Sequence, residues 1–254
     1  MLRSPRRAVI DMVVNYGFDS LPHDMRAVIT VGSFDGVHSG HRALLESVVA
    51  MSHRLAAESV VVTFEPHPRI AMGRAEGMQL LTTVEERALL LARYGVDRVV
   101  VAHFDDNFRS QTYEEFVRML VAKCGMVGMV VGYNHRFGSN RGSYENLPPL
   151  VDELGFELQR VEQYTSAGDK VSSTVVRNTL AEGDMERAAK LMGHRYVVVG
   201  EAYSGVVVVE DENKFLPVKG SYHAVVNGSA RSIDICDREI RLNSNIEGRV
   251  VIEI

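Results

Sequence analysis

Between residues 27 and 161, short β-branched runs alternate with longer stretches of helical period, the pattern of parallel strands joined by crossover helices. Val28–Val31, Val60–Phe64, Arg98–Phe104, Met129–Val131 and the weaker Phe156–Val161 read as strands. The segment Gly40–Ala57 sets Leu44, Leu45, Val48, Val49 and Leu55 on one helical face. Two further helices announce themselves by capping boxes: Thr83 with Glu86, closed by Gly95, and Thr112 with Glu115, closed by Gly125. Helical patterns return over Thr174–Leu180 and Asp184–Met192, with Gly183 between them and Gly193 as the stop. The fold class expected is α/β, a Rossmann-like parallel sheet.

After Gly193 the period changes. Val197–Val199, Val206–Val209, Ser221–Val226, Ser232–Cys236 and Arg249–Ile254 are short β-type runs separated by turn signals. Residues 195–254 therefore read as a small antiparallel β unit, too short to bury much core alone and expected to lean on the larger domain. The domain plan is a lead-in over 1–26, a main domain over 27–194 and the β unit over 195–254. The first eleven residues carry three arginines without an apolar segment after them, which reads as an extension and not as a signal peptide.

Composition narrows the function classes. A formal charge of −5 argues against nucleic acid as a partner, although an acidic chain can still hold a small polyphosphate through backbone N–H groups and a cation. Cys124 and Cys236 form neither a metal-ligand spacing nor a disulfide framework, and read as idle thiols in a reducing compartment. No apolar run is long enough to span a bilayer, so a cytoplasmic protein without a membrane partner is expected.

The chemistry concentrates at Gly32-Ser33-Phe34-Asp35-Gly36-Val37-His38-Ser39-Gly40-His41, where the first strand gives way to the first helix. Gly32, Gly36 and Gly40 allow a sharp turn and a close ligand, and Ser39 is placed as the helix cap. His38 and His41 are three apart, a spacing that lets both imidazoles face one point beside a helix N-terminus. No Gly-Lys-Ser/Thr follows, which excludes a P-loop, and the dinucleotide glycine pattern does not match either. A single histidine is usually only a hydrogen-bonded side chain; the pair set among glycines favours a functional reading. Further along, Ser173 and Thr174 open a helix, with Arg177 one turn on as a bidentate fork for phosphate. On residue type alone an ordinary cap and a solvated arginine explain that stretch equally well.

The histidine stretch resembles the His-x-Gly-His signature of adenylyl- and cytidylyltransferases. The longer string Phe34–His41 is similar to the FMN adenylyltransferase module of prokaryotic bifunctional riboflavin kinase/FAD synthetases. Three more stretches resemble that family in the right order. They are Thr63-Phe64-Glu65-Pro66-His67-Pro68, Gly132-Tyr133-Asn134-His135-Arg136-Phe137-Gly138 (with His135 where an aromatic is commoner) and Val171-Ser172-Ser173-Thr174-Val175-Val176-Arg177. The match runs over about residues 12–200. It implies transfer of AMP from ATP to FMN with Mg²⁺. In that scheme His38 and His41 contact the ATP phosphates, Asn134 helps hold phosphates and Mg²⁺, and Ser173, Thr174 and Arg177 close over the β- and γ-phosphates. Phe64, Pro66, His67 and Phe137 offer flat surfaces to the flavin, against the plainer readings of core packing and a rigid loop. Asp35 either hydrogen-bonds the flavin or shapes the turn; Phe34, Gly32, Gly36, Gly40 and Gly132 frame the site.

The resemblance thins at the C-terminus. Leu216-Pro217-Val218-Lys219-Gly220-Ser221-Tyr222-His223-Ala224-Val225 is similar to the kinase module's Leu-Pro-x-x-Gly-Val-Tyr-Ala-Val, but no Pro-Thr-Ala-Asn lies between Gly205 and Leu216. The expectation is a reduced riboflavin-kinase-like barrel, with too little chain to complete it and no kinase activity. Covering apolar surface, self-association or shaping the acceptor pocket are the roles left to it. A non-flavin phosphate acceptor and a non-catalytic flavin- or nucleotide-binding protein are the competing functions.

Overall fold

The structure is a computed structural model that describes residues 12–74, 77–162, 165–166 and 169–254. The expectation for the first eleven residues lies outside the described residues. Contacts divide the chain into a sheet unit (the described residues of Met1–Phe34, His41–Glu76 and Ala88–Tyr164) and a barrel unit (those of Asp35–Gly40, Gly77–Arg87 and Thr165–Ile254).

The sheet unit holds six parallel strands: β1 (Val13–Tyr16), β2 (Ala27–Val31), β3 (Glu58–Glu65), β4 (Arg98–His103), β5 (Met126–Gly132) and β6 (Glu157–Val161). Their order is β1-β4-β3-β2-β5-β6. Successive strand residues feed opposite faces. Ile29, Val31, Met129 and Val131 enter one core with Val117 and Leu120, while Val28 and Val130 enter a second with Val48 and Met51. Among the described residues the α-helices in order are α1 (Ser39–Leu55), α2 (Pro68–Ala71), α3 (Val84–Arg93), α4 (Asp106–Ser110), α5 (Tyr113–Cys124), α6 (Pro148–Leu154), α7 (Ser173–Ala181) and α8 (Met185–Met192). Both capping boxes form as expected. Glu86 accepts from the Thr83 N–H at 2.8 Å, and Glu115 accepts from the Thr112 N–H at 2.8 Å, each threonine hydroxyl accepting in return.

Strand order reverses between β2 and β5, and such a switch point is where open α/β sheets take ligands. β1 corrects the sequence reading, which gave residues 1–26 no element. It is a four-residue edge strand with Val13 and Tyr16 exposed, too short and too little buried to show an alternating pattern.

In the barrel unit a two-residue pair, β7 (Thr165–Ser166) and β8 (Asp169–Lys170), precedes α7 and α8. β9 (Val197–Tyr203), β10 (Val206–Val208), β11 (Gly220–Val226), β12 (Ser229–Cys236), β13 (Glu239–Arg241) and β14 (Gly248–Glu253) then close an antiparallel barrel in the order β10-β13-β12-β11-β14-β9. The expectation that too little chain remained to complete a barrel is thereby corrected. Two-residue turns at Ser204-Gly205, Asn227-Gly228 and Asp237-Arg238 spend few residues on connections, leaving enough for six strands. Alternate residues point inward: Val198, Ala202, Ala224, Val226, Ile233, Ile235, Val250 and Ile252 fill the barrel and join Val176 and Leu180 of α7 and Ala188 and Met192 of α8 in one core.

Candidate active site

The turn after β2 departs from ordinary backbone. Phe34 and Val37 take positive φ of 48° and 39°, with Gly36 at 78° between them. A β-branched residue there is strained by about 1–3 kcal/mol, and strain of that kind persists only where the surroundings over-determine it. They do so at Gly36: an added Cβ would meet the Leu81 side chain at 2.6 Å, so only glycine fits. At Gly40 a Cβ would lie 3.0 Å from the His38 ring and 3.3 Å from the Val171 carbonyl oxygen, which shows how closely the turn lies against the start of the Val171–Arg177 stretch.

Asp35 is the hub of this turn. It is buried, and its Oδ1 accepts from the Thr82 N–H at 3.1 Å and the Thr82 hydroxyl at 3.4 Å. The Gly36 N–H donates back to Thr82 Oγ1 at 3.0 Å. Asp35 Oδ2 takes the Arg177 guanidinium at 3.0 Å, and its main-chain carbonyl takes the Ser173 hydroxyl at 2.9 Å. Of the two readings open for Asp35, these bonds support the shaping of the turn. They also bring Ser173 and Arg177, distant in sequence, onto the segment that carries His38. Ser172 is the cap of α7, its hydroxyl accepting from the Val175 N–H, so Ser173 and Thr174 occupy the first helical positions. Thr174 is exposed. Among the described residues the buried Nε of Arg177 has no hydrogen-bond partner, which leaves one guanidinium donor for an incoming anion.

His38 is buried, and desolvation lowers its pKa to about 4, against the raising effect of Asp35. It is therefore a neutral imidazole at pH 7, an N–H donor and not a fixed cation. Ser39 is the first residue of α1 and not the outer cap expected for it; its hydroxyl donates to the Leu191 carbonyl at 2.6 Å. His194, passed over in the sequence, shares its Nε2 with the Gly36 carbonyl at 3.1 Å. Nothing in the local pattern marks His194 or Thr82, because their roles arise from contacts made far along the chain.

His41 belongs to the sheet unit, where its ring lies 4.9 Å from that of Phe34. Phe34 is buried and folds back over Gly32, whose added Cβ would stand 3.1 Å from the ring. Asn134 is exposed in the turn after β5, and nothing crowds Gly132 within 4 Å. Phe64 packs edge-on against Phe104 and Phe108, and the buried Phe137 packs against Phe116 and lies 5.2 Å from His135. Both therefore serve the core, whatever face they also offer a ligand. Burial lowers the His135 pKa to about 4. His67 caps α2, its Nδ1 accepting from the Arg69 N–H at 3.2 Å, and Pro66 and Pro68 flank it in a fixed loop. Cys124 is buried in the core, which pushes its pKa up to about 12 and makes it inert.

Among the described residues no three His, Cys, Asp or Glu side chains cluster as a metal site, and no helix is long and apolar enough to cross a membrane. A divalent ion arriving on a polyphosphate needs few protein ligands, and the exposed carboxamide of Asn134 suits one.

The six-stranded parallel sheet with its glycine turn after β2 is Rossmann-like, and the closed antiparallel barrel is riboflavin-kinase-like. Comparison with known proteins agrees. The family model described as FAD synthetase matches residues 20–175. The bifunctional riboflavin kinase/FMN adenylyltransferase of Escherichia coli (strain K12) is 32% identical over 213 residues, covering 79% of this chain and 68% of the relative. A putative protein of the same name from Geobacillus thermodenitrificans is 36% identical over 168 residues, 66% of this chain and 89% of its own. A solved structure described as a macrolide-efflux protein from Streptococcus pneumoniae matches with a TM-score of 0.81 over 95% of this chain and 89% of that one; at 22% identity the likeness shows a common fold alone. The chain belongs to the FAD synthetase family and is an enzyme of that class.

Proposed function

We propose that this protein transfers AMP from ATP to FMN, releasing pyrophosphate and forming FAD, with Mg²⁺ carried on the phosphates, and that it lacks riboflavin kinase activity. The observation that carries the reading is the convergence on Asp35. One buried carboxylate and its own carbonyl hold both Ser173 and Arg177 against the strained segment that presents His38.

The chemistry asks for little else. A phosphate oxygen of FMN attacks the α-phosphorus of ATP in line, the bond to the α,β-bridging oxygen breaks, and pyrophosphate takes the electron pair. No protein nucleophile is needed, so rate comes from positioning and from donors aimed at charge that grows on the α-phosphate and the leaving group. His38 and His41 supply N–H donors, the hydroxyls and first N–H groups of α7 meet the β- and γ-phosphates, and Arg177 turns its remaining donors to the same oxygens. Asn134 helps hold Mg²⁺, whose charge offsets that of the phosphates. For the kinase half, the barrel loop over 209–214 is tied down: Arg238 donates to the carbonyls of Val209, Asp211 and Lys214. That supports a bracing role for the barrel.

Incubating the purified protein with Mg²⁺, ATP and FMN, and following pyrophosphate and FAD by chromatography, tests the reading. FAD and pyrophosphate should appear in equal amounts, and riboflavin with ATP should give no FMN. If micromolar enzyme releases neither product, the adenylyl-transfer reading is wrong; FMN made from riboflavin would overturn the second half.

A further inference from the structure

We propose that Lys214 is a positioning residue for adenylyl transfer: it fixes the Leu81–Thr82 segment, which holds Asp35 and through it Arg177. The inference rests on the function proposed above and extends it to a residue outside every motif of the nucleotidyltransferase. Lys214 lies in the loop between β10 and β11, and both it and Glu86 are fully buried.

All three ammonium donors are committed. Nζ reaches Glu86 Oε2 at 2.7 Å, the Leu81 carbonyl at 2.6 Å and the Val197 carbonyl at 3.0 Å, and it stands 4.3 Å from the centre of the Tyr196 ring. Glu86 in turn accepts from the Val199 N–H at 3.0 Å and the Thr83 N–H at 2.8 Å. Main-chain bonds run alongside, from Leu80 N–H to the Asn213 carbonyl at 2.5 Å and from Phe215 N–H to the Leu80 carbonyl at 2.8 Å. Residues 80–82 are thus clamped to the barrel loop on one side, while Thr82 grips Asp35 and Gly36 on the other.

A fully buried ion pair is poor value as a source of stability, because apolar side chains of the same volume often do as well. What the pair does provide is direction. Lys214 satisfies one specific carbonyl next to Thr82, and a displaced Thr82 would release Asp35, leaving Arg177 without its anchor. The barrel is then part of the phosphate-handling apparatus, although none of its strands carries a reacting group.

The test uses the full chain and three variants. Lys214→Met with Glu86→Gln removes both charges at once, so that no lone ion remains buried. Thr82→Val keeps the ion pair and the Thr82 N–H bond to Asp35, and loosens the relay by removing the hydroxyl that accepts from the Gly36 N–H at 3.0 Å and donates to Asp35 at 3.4 Å. Asp35→Asn provides the background in which the relay has no end point. Fold is checked by circular dichroism and melting; kcat and KM for ATP and for FMN, and Mg-ATP binding by calorimetry, are the readouts. The double variant and Thr82→Val should each weaken Mg-ATP binding and lower kcat/KM for ATP by about tenfold while leaving KM for FMN unchanged. In the Asp35→Asn background the double change should add nothing. A folded double variant with wild-type ATP constants, or effects that multiply independently with Asp35→Asn, would overturn the proposal. If the double variant does not fold, Thr82→Val decides alone. Wild-type protein that binds Mg-ATP but makes no FAD refutes the function and not the relay, which calorimetry still judges; no Mg-ATP binding at all refutes both.

Discussion

The two units of this protein differ in how deeply they bury their ion pairs. In the sheet unit the ion pairs reach the surface: Arg54–Glu157 and Arg118–Glu153 are about half exposed, and the buried Arg98 pairs with a Glu58 side chain that is 42% exposed. In the barrel unit the Glu86–Lys214 pair is fully buried, and Asp35 with Arg177 is nearly so. Surface pairs contribute little to stability, so the sheet is held by its packed aliphatic strands. Buried pairs cost desolvation and return orientation. The lesson is a difference in use: packed aliphatic strands hold the sheet unit, while buried ion pairs fix the Asp35 turn within the barrel unit.

The largest expected effect would break this contrast directly. Lys214→Met alone leaves the Glu86 carboxylate buried without its counterion, and should cost about 3–5 kcal/mol in urea denaturation at pH 7. Arg118→Met, which opens an exposed pair in the sheet unit, should cost less than about 1 kcal/mol. Equal losses would mean that burial does not separate the two units.

Next come the histidines. His38 lies in the barrel unit and His41 in the sheet unit, so each tests one side of the comparison. His38→Ala and His41→Ala should each lower kcat for FAD formation by about 10²–10³, the scale for removing one donor from a developing negative charge. Folded variants that keep full turnover would remove that histidine from the site.

The pH dependence of stability tests one buried histidine in each unit. The folded protein holds His38 near pKa 4 against an ordinary value of 6.5, so the unfolded chain binds its proton more tightly. Stability from this group is complete above about pH 6.5 and is lost as pH falls towards 4, amounting to about 3 kcal/mol. His135 of the sheet unit is lowered to about 4 as well, by burial, so its share is of the same order. Denaturation midpoints measured from pH 7 to 4 should fall less steeply in His38→Gln than in the wild type, and likewise in His135→Gln. A wild-type slope in His38→Gln would show that its imidazole titrates normally in the folded state.

How much of this was legible beforehand follows the range of the contacts. Helices α3 and α5 could be read because a capping box is a local device, with Thr83 and Glu86 three residues apart. The same Glu86 also meets Lys214, and nothing near either residue reveals that partnership. The Gly32–His41 turn was legible as a site from its glycines and histidines, but its anchor Asp35 was left with two readings because Thr82 and Arg177 lie in other segments. Barrel closure was missed for a related reason: β13 is only three residues long, and the Asp237-Arg238 turn before it carries no glycine to announce it.

The smallest prediction compares two helix caps. Thr112 caps α5 in the sheet unit with a reciprocal pair of bonds, whereas Ser172 caps α7 in the barrel unit through one bond of 3.4 Å. On bond length and number, Thr112→Ala should cost about 1 kcal/mol and Ser172→Ala about half as much. Function should rank them the other way. Helix α5 carries no residue of the proposed site, so Thr112→Ala should melt earlier with unchanged kinetic constants. Helix α7 begins with Ser173 and Thr174 and carries Arg177 one turn on, so a frayed first turn there should raise KM for ATP several-fold despite the smaller stability loss. Should Thr112→Ala alter the ATP constants as much as Ser172→Ala does, the start of α7 has no special part in holding phosphate.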